Sequence, residues 1–434
     1  MSLTKASYSL INGAPANVLD FGADPTGVAD SSAAFQTIFN NASIASVLIP
    51  AGTYKLNSSL SLNRALTIQG QGQPSTVLNV NHNGIGIAIG KSNATGSIVL
   101  KDFSMVGIST STRGISLGNN SPLYFVLFTK IDNVGFSYFN AANACAIELI
   151  NCQEIDIYNV NIQYCFNGIW NTAGYLTATT IHGSAGFIGR NTNTGISLSS
   201  CGGVTIKNIV MENNYQYAIN VSTNEARALV RIENNYFELN SEPVSGVPSS
   251  GYTIAVNGNV SNLLTAIING NEFGSFNTRP LIQASTLKNS QIGYSEGFGV
   301  GADTILIDRD SSYFRYLTTD GIEVQSSLNR NTTYKRLVRT PNIADNTATK
   351  VATIYIGTNQ LPADVSGAYV VKVRSLVTSG VGTALPASKY VEFSFLYANP
   401  VATPFGALSA IQNLTATASV AVSSGDRDIG TVTP

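Results

Sequence analysis

Two glutamates, Glu212 and Glu238, fall at the same place in two stretches that align, IKNIVMENN (206–214) and IENNYFELN (232–240). With Ile206 set on Ile232, Asn208 meets Asn234, Met211 meets Phe237 and Glu212 meets Glu238. If the stretches are successive turns of a repeating coil, the carboxyl groups lie about 5 Å apart at the backbone. Glycoside hydrolysis needs such a pair, one group to protonate the leaving oxygen and one to act as base or nucleophile. Two like charges so close do not both ionise freely, so one pKa is expected to rise and supply the acid. A separation near roughly 5–5.5 Å would give retention, and roughly 6.5–9.5 Å inversion. Matching MENNY (211–215) to IENNY (232–236) would instead pair Glu212 with Glu233, but that step breaks the Ile–Asn pattern.

Two further groupings carry chemistry. Glu148 is expected to face outward from the first strand of the repeat, with Trp170, the only tryptophan, in the equivalent place one turn later. An acid beside an exposed indole suits a sugar subsite, the ring stacking on C–H groups while the acid takes hydroxyls. Tyr164, Tyr215, Tyr217 and Tyr236 would extend that platform. A column of Tyr158, His182, Lys207 and Glu233 holds the parts for polysaccharide elimination, which needs a cation for a uronate carboxylate and a base for its C5 proton. The plainer reading of that column is a surface Lys–Glu pair of small energetic value. The chain has two histidines, and Cys145, Cys152, Cys165 and Cys201 show no CxxC spacing, which argues for four buried reduced thiols and against zinc. No calcium-binding aspartate cluster is recognisable, and the expectation is a cofactor-free protein.

What must position these residues is a repeat. A motif of small residue, isoleucine, any residue and aliphatic recurs as GIAI, GISL, AIEL, GIWN, GISL, AINV, TIAV, LIQA and TILI, its second residues at 87, 115, 147, 169, 196, 219, 254, 282 and 305. An independent motif interleaves with it as LKDFSM (100–105), IDNVGF (131–136), IYNVNI (157–162), IKNIVM (206–211), IENNYF (232–237) and INGNEF (268–273), with IHGSAG (181–186) as a poor copy. Short strands returning to one place every 22 to 35 residues describe a parallel β-helix, in which no single turn can bury its apolar face alone. Inward Ile, Leu, Val, Met and Phe then stack as a core, and Asn133, Asn159, Asn208 and Asn234 stack where strands turn, because asparagine tolerates left-handed backbone.

Composition narrows the partners. Of 434 residues 11% are charged, and the formal net charge is −1, so no basic footprint marks nucleic acid or a membrane surface. No run of 18 apolar residues and no signal-peptide pattern is visible.

The block NVLDFGADPTGVADSSAAFQTIFNNASIASVLIPAGTYKLNSSLSL (17–62) places Asp30 or Ser31 at the start of a short helix (30–41) with Ala34, Phe35, Ile38 and Phe39 on one face. An open solenoid end needs such a plug. DFGADPTGVADSSAAFQ and IPAGTY resemble the pectate-lyase-like β-helix superfamily, and among its members the tailspike proteins of bacteriophages most closely. The resemblance implies a right-handed parallel β-helix, a homotrimer, and cleavage of a capsular or O-antigen polysaccharide by a virion protein that contacts other tail proteins. Hydrolysis is preferred; a uronate lyase and a non-catalytic receptor-binding spike are the alternatives. The organisation expected is a leader (1–16), the β-helix (17–308), a neck or linker (309–350) and a C-terminal antiparallel β-sandwich (351–434) for trimerisation or carbohydrate binding. Its strands are read from VATIYIG, AYVVKVRSLV, YVEFSFLYA and ATASVAV.

Overall fold

The computed structural model describes residues 14–274 apart from 91–96, 119–124, 224–227, 242–251 and 259–263. Beyond 274 it describes the strands 282–285, 288–292, 296–297, 305–307, 312–317, 323–326, 334–336, 368–379, 387–398, 419–421 and 431–433. Two compact units divide the chain, Met1–Leu337 and Val338–Pro434.

The first unit is a coil of parallel strands in three sheets. In sheet 1, Leu60, Ile87, Ile115, Ile147, Ile169, Ile196, Ile219, Ile254, Ile282 and Ile305 pair in succession. All nine positions expected from the isoleucine motif lie in that one file. Sheet 2 runs Ile68, Leu100, Ile131, Ile157, Ile181, Ile206, Ile232, Ile268 and Ile292. Sheet 3 runs Leu78, Met105, Phe136, Ile162, Ile188, Met211, Phe237 and Phe273. As far as Ile282, Ile268 and Phe273 the three files meet inside as one continuous core. Each aliphatic or aromatic side chain so buried contributes about 1.5–3 kcal/mol relative to exposure, which is why the register does not slip.

Sharp corners let three flat sheets close around that core. Between sheets 2 and 3 stand Asp102, Asn133, Asn159, Asn208 and Asn234, with φ of 62°, 53°, 50°, 56° and 55°. Gly270 completes the corner at φ 63°. Between sheet 3 and the next turn, Tyr138, Tyr164, Arg190, Asn213 and Leu239 are left-handed in the same way. The residue after each corner is buried. It is Cys165, Asn191, Asn214 and Asn240 on successive turns of the second corner, and the asparagines form a ladder, Asn191 Nδ2 donating to Asn214 Oδ1 (2.8 Å) and Asn214 Nδ2 to Asn240 Oδ1 (2.9 Å). Asn235 and Asn271 repeat the arrangement at the first corner (3.1 Å). The poor copy IHGSAG joins sheets 2 and 3 through a register shift, between His182 and Gly186.

The one α-helix among the described residues, Ser32–Asn40, buries Ala34, Phe35, Ile38 and Phe39, the face expected from sequence. Asp30 Oδ1 accepts from the Ser32 N–H (2.9 Å) at its start. Arg64 donates to the Ile38 and Phe39 carbonyls at its end (2.9 and 2.7 Å), where the C-cap Asn41 N–H also donates to the Ile38 carbonyl (3.1 Å). No helix among the described residues is long and apolar enough to cross a membrane.

Past residue 308, Ser312–Leu317 extends sheet 2 by parallel pairing and then pairs antiparallel with Glu323–Ser326, which pairs antiparallel with Tyr334–Arg336. In the second unit, Ala368–Ser379 and Ala387–Ala398 pair antiparallel along their whole length, and Ser419–Ala421 pairs antiparallel with Thr431–Thr433. The segments AYVVKVRSLV and YVEFSFLYA supply the long pair; VATIYIG lies outside the described residues.

Candidate functional site

On sheet 3 the side chains alternate between the core file and two outer files. Glu212 pairs with Glu238 in the outer file that follows the core position, because Met211 and Phe237 lock the register from inside. The alternative pairing of Glu212 with Glu233 does not occur; Glu233 lies on sheet 2, beside Lys207. The repeated Asn–Asn pair explains why both alignments looked possible. In MENNY it turns the second corner and in IENNY the first, each time as a left-handed residue followed by a buried one.

Glycines flank the two glutamates in their file. Gly189 pairs with Glu212. On the other side, a Cβ on Gly274 would stand 2.8 Å from the Tyr236 hydroxyl and 3.2 Å from Glu238 Cγ. A Cβ on Gly189 would meet the Glu212 carbonyl oxygen and the Phe187 ring, so both glycines let neighbouring groups pack closely beside the carboxylates. The neighbouring outer file runs Phe187, Val210, Tyr236 and Glu272. Tyr236 donates its hydroxyl to Glu238 Oε2 (3.0 Å). Burial, then that bond, then the charges of Glu238, Glu272 and Glu212 raise the Tyr236 phenol above its usual pKa, so it stays a donor. Among the described residues no cation pairs with Glu212 or Glu238. An apolar and aromatic wall beside two unneutralised carboxylates is an arrangement suited to a sugar ring and its glycosidic oxygen.

Sheet 1 departs from expectation. Glu148 does pair with Trp170, but it is 7% exposed rather than a solvent-facing acid. Ser116 donates to its Oε2 (2.7 Å), Thr172 donates to Oε1 (2.9 Å), and Arg113 Nε lies 2.9 Å from Oε1. The same guanidinium sits 5.5 Å over the Trp170 ring, so one indole face is already taken. The Arg113 side chain from the preceding turn thus pairs with the acid, and the two hydroxyls complete its shell. Tyr164 is 39% exposed, but its ring is already engaged by its neighbours. Tyr138 stacks on it (5.5 Å, 8°), and Arg190 lies 5.7 Å from its ring and donates to its hydroxyl (2.8 Å). Tyr215 lies in the turn after Asn214, its N–H donating to the Asn191 carbonyl. Tyr217 begins the next sheet 1 strand, and burial raises its phenol pKa.

Sheet 2 brings Tyr158, His182, Lys207 and Glu233 into one outer file, as expected. It also adds a partner that the sequence reading missed. Asp156 Oδ1 lies 2.7 Å from His182 Nε2. The signal was present in IDIYN, where strand alternation sends Asp156 and Tyr158 to the same outer face. The four cysteines are free and buried; burial pushes the thiols of Cys152 and Cys165 to about 12, so they are unreactive packing groups.

Comparison with known proteins gives a family and a fold. The family described as "Rhamnogalacturonase A/epimerase, pectate lyase-like" matches residues 16–247, more than half of the chain. No curated protein matches. Among solved structures, DFA-IIIase from Arthrobacter chlorophenolicus A6 in complex with GF2 is 13% identical, with a TM-score of 0.54 over 75% of this chain and 99% of that one. The same enzyme in complex with DFA-III gives 13% and 0.53 over the same shares. ORF18 of Geobacillus virus E2 is 13% identical over 95% of this chain and 83% of that one, with a TM-score of 0.46. At such identities the likeness to DFA-IIIase is one of fold.

Proposed function

The chain belongs to the rhamnogalacturonase A/epimerase, pectate lyase-like family, and from that premise we propose that it depolymerises a bacterial surface polysaccharide by glycosidic hydrolysis on the outer face of sheet 3. The observation that carries this reading is the pairing of Glu212 with Glu238 on adjacent turns, between two glycines and with no ion-pairing cation among the described residues. Adjacent turns hold the two backbones about 4.8 Å apart. Glu238, oriented by the Tyr236 hydroxyl, takes the role of base or nucleophile, and Glu212 protonates the leaving oxygen. Phe187 and Val210 form the apolar wall against which a sugar ring lies. The likeness of DFGADPTGVADSSAAFQ to phage tailspikes supports the finer reading, a virion-borne homotrimer that meets capsule or O-antigen outside the cell.

The test is release of reducing ends from a panel of purified capsular and O-antigen polysaccharides. Glu212→Gln and Glu238→Gln are each expected to cut the rate by about a hundredfold or more, with the thermal midpoint unchanged. Full activity in both variants would refute the assignment. Loss in Glu148→Gln alone, at unchanged thermal midpoint, would move the site to sheet 1.

A further inference from the structure

The two outer files of sheet 3 carry a one-sided charge. Lys55 pairs with Asn79 in the file that leads to Glu212 and Glu238, and beyond Lys55 that file holds no lysine or arginine. The neighbouring file holds none from Thr53 to Glu272. Six turns separate Lys55 from Glu212, roughly 29 Å at about 4.8 Å per turn, which is several Debye lengths at physiological salt. At the far end stand Glu212 and Glu238 side by side, with the exposed Glu272 in register with Tyr236 in the neighbouring file. Cations close in sequence are engaged elsewhere. Arg190 donates to the Tyr164 hydroxyl on the turn before its own, whereas Glu212 lies on the turn after. Lys207 and Arg231 stand on sheet 2, Arg231 3.8 Å from Glu233. Among the described residues none of the three glutamates has an ion-pairing cation.

We propose, resting on the hydrolytic reading of this face, that it selects its substrate by charge, accepting a glycan of uncharged sugars and turning away polymers that carry uronate, sialate or phosphate. An anionic polymer repeats its charge along the chain, so charges would come within a Debye length, about 8 Å, of the three carboxylates with no lysine or arginine to offset the repulsion. A neutral sugar meets no such cost. Its hydroxyls donate to the carboxylates, which only accept, and its C–H faces lie against Phe187 and Val210. A bound anion would also favour protonation of the glutamate that must stay ionised, so repulsion penalises the reaction as well as binding. Glu272 is a specificity-determining residue: it adds charge beside the pair from the neighbouring file and stands outside the pair that handles the glycosidic oxygen.

The experiment measures binding of the full chain to immobilised neutral capsular and O-antigen polysaccharides, each beside a derivative whose primary hydroxyls have been oxidised to carboxylates. At least one neutral polymer is expected to bind, and its oxidised form to bind about tenfold or more weakly at low salt. Raising salt from about 20 mM to about 200 mM is expected to narrow that gap, because screening relieves repulsion but does not restore a lost hydroxyl contact. Glu272→Gln is expected to narrow it at low salt. Binding to no neutral polymer, equal or tighter binding of the oxidised form, or a gap that neither salt nor Glu272→Gln moves would overturn the proposal. Reducing ends are scored separately. A neutral polymer held but left uncut would refute hydrolysis and leave charge selection standing, whereas cleavage of a uronate polymer that Glu212→Gln abolishes would do the reverse.

Discussion

Which carboxylates are free to act depends on what their neighbours can donate. Glu148 takes two hydroxyl donors and a guanidinium, whereas Glu238 takes one phenol and Glu212 none of these. Asp24 shows the same rule outside the site. Its carboxylate accepts from the N–H groups of Ala29, Thr26 and Val28 and from the Thr26 hydroxyl, and these bonds lower its pKa from 3.8 to about 2. A depressed folded-state pKa stabilises the fold above the unfolded value, and that contribution disappears as pH falls from 3.8 through about 2. Asp24→Asn is thus expected to melt below wild type at neutral pH, with the gap closing across that window. A constant gap from pH 6 to pH 2 would show that the bonds do not discriminate the ionised form. The aspartate's place in DFGADPTG was legible, but its acceptor role was not, because the donors come from a local backbone path that only coordinates reveal.

Corners, more than strands, set where side chains point. Asn208 is solvent-exposed and left-handed (φ 56°), so its main contribution is conformational. A β-branched side chain there meets its own carbonyl, at a cost of about 1–2 kcal/mol, while glycine is at ease. Asn208→Val is expected to lower stability by that amount in denaturant titration, and Asn208→Gly to stay close to wild type; equal effects would argue that the carboxamide itself holds the turn. Alternation and the Ile–Asn spacing made the first corner readable in sequence. The second corner escaped, because Tyr138, Tyr164, Arg190, Asn213 and Leu239 share no side-chain type, only a backbone angle. The ladder Asn191–Asn214–Asn240 escaped with it, although interior asparagines spaced by one turn are a signal that could have been sought.

Across the whole first unit, each turn rests only on the turns before and after, so stability accumulates as a chain of neighbour contacts. The helix Ser32–Asn40 joins that chain at its start, where Phe35 is fully buried edge-on to Tyr54 and Phe39. Phe35→Ala is expected to cost about 3–5 kcal/mol, and the loss should be felt locally. Hydrogen exchange should speed up in Ser46–Leu48 and Leu66–Gln69 well before Val204–Glu212; a uniform rise would mean that the coil unfolds as one block. The amino-acid sequence by itself determined the period, the core files and the register that sets Glu212 on Glu238. Slipping any strand by one residue would turn its isoleucines to water, and that penalty is written in the pattern. Only the tertiary structure decided which outward residues stay open. Arg113 covers Glu148, Tyr138 and Arg190 sandwich Tyr164, and Asp156 orients His182, because these contacts join side chains from different turns whose reach and rotamers no periodicity specifies.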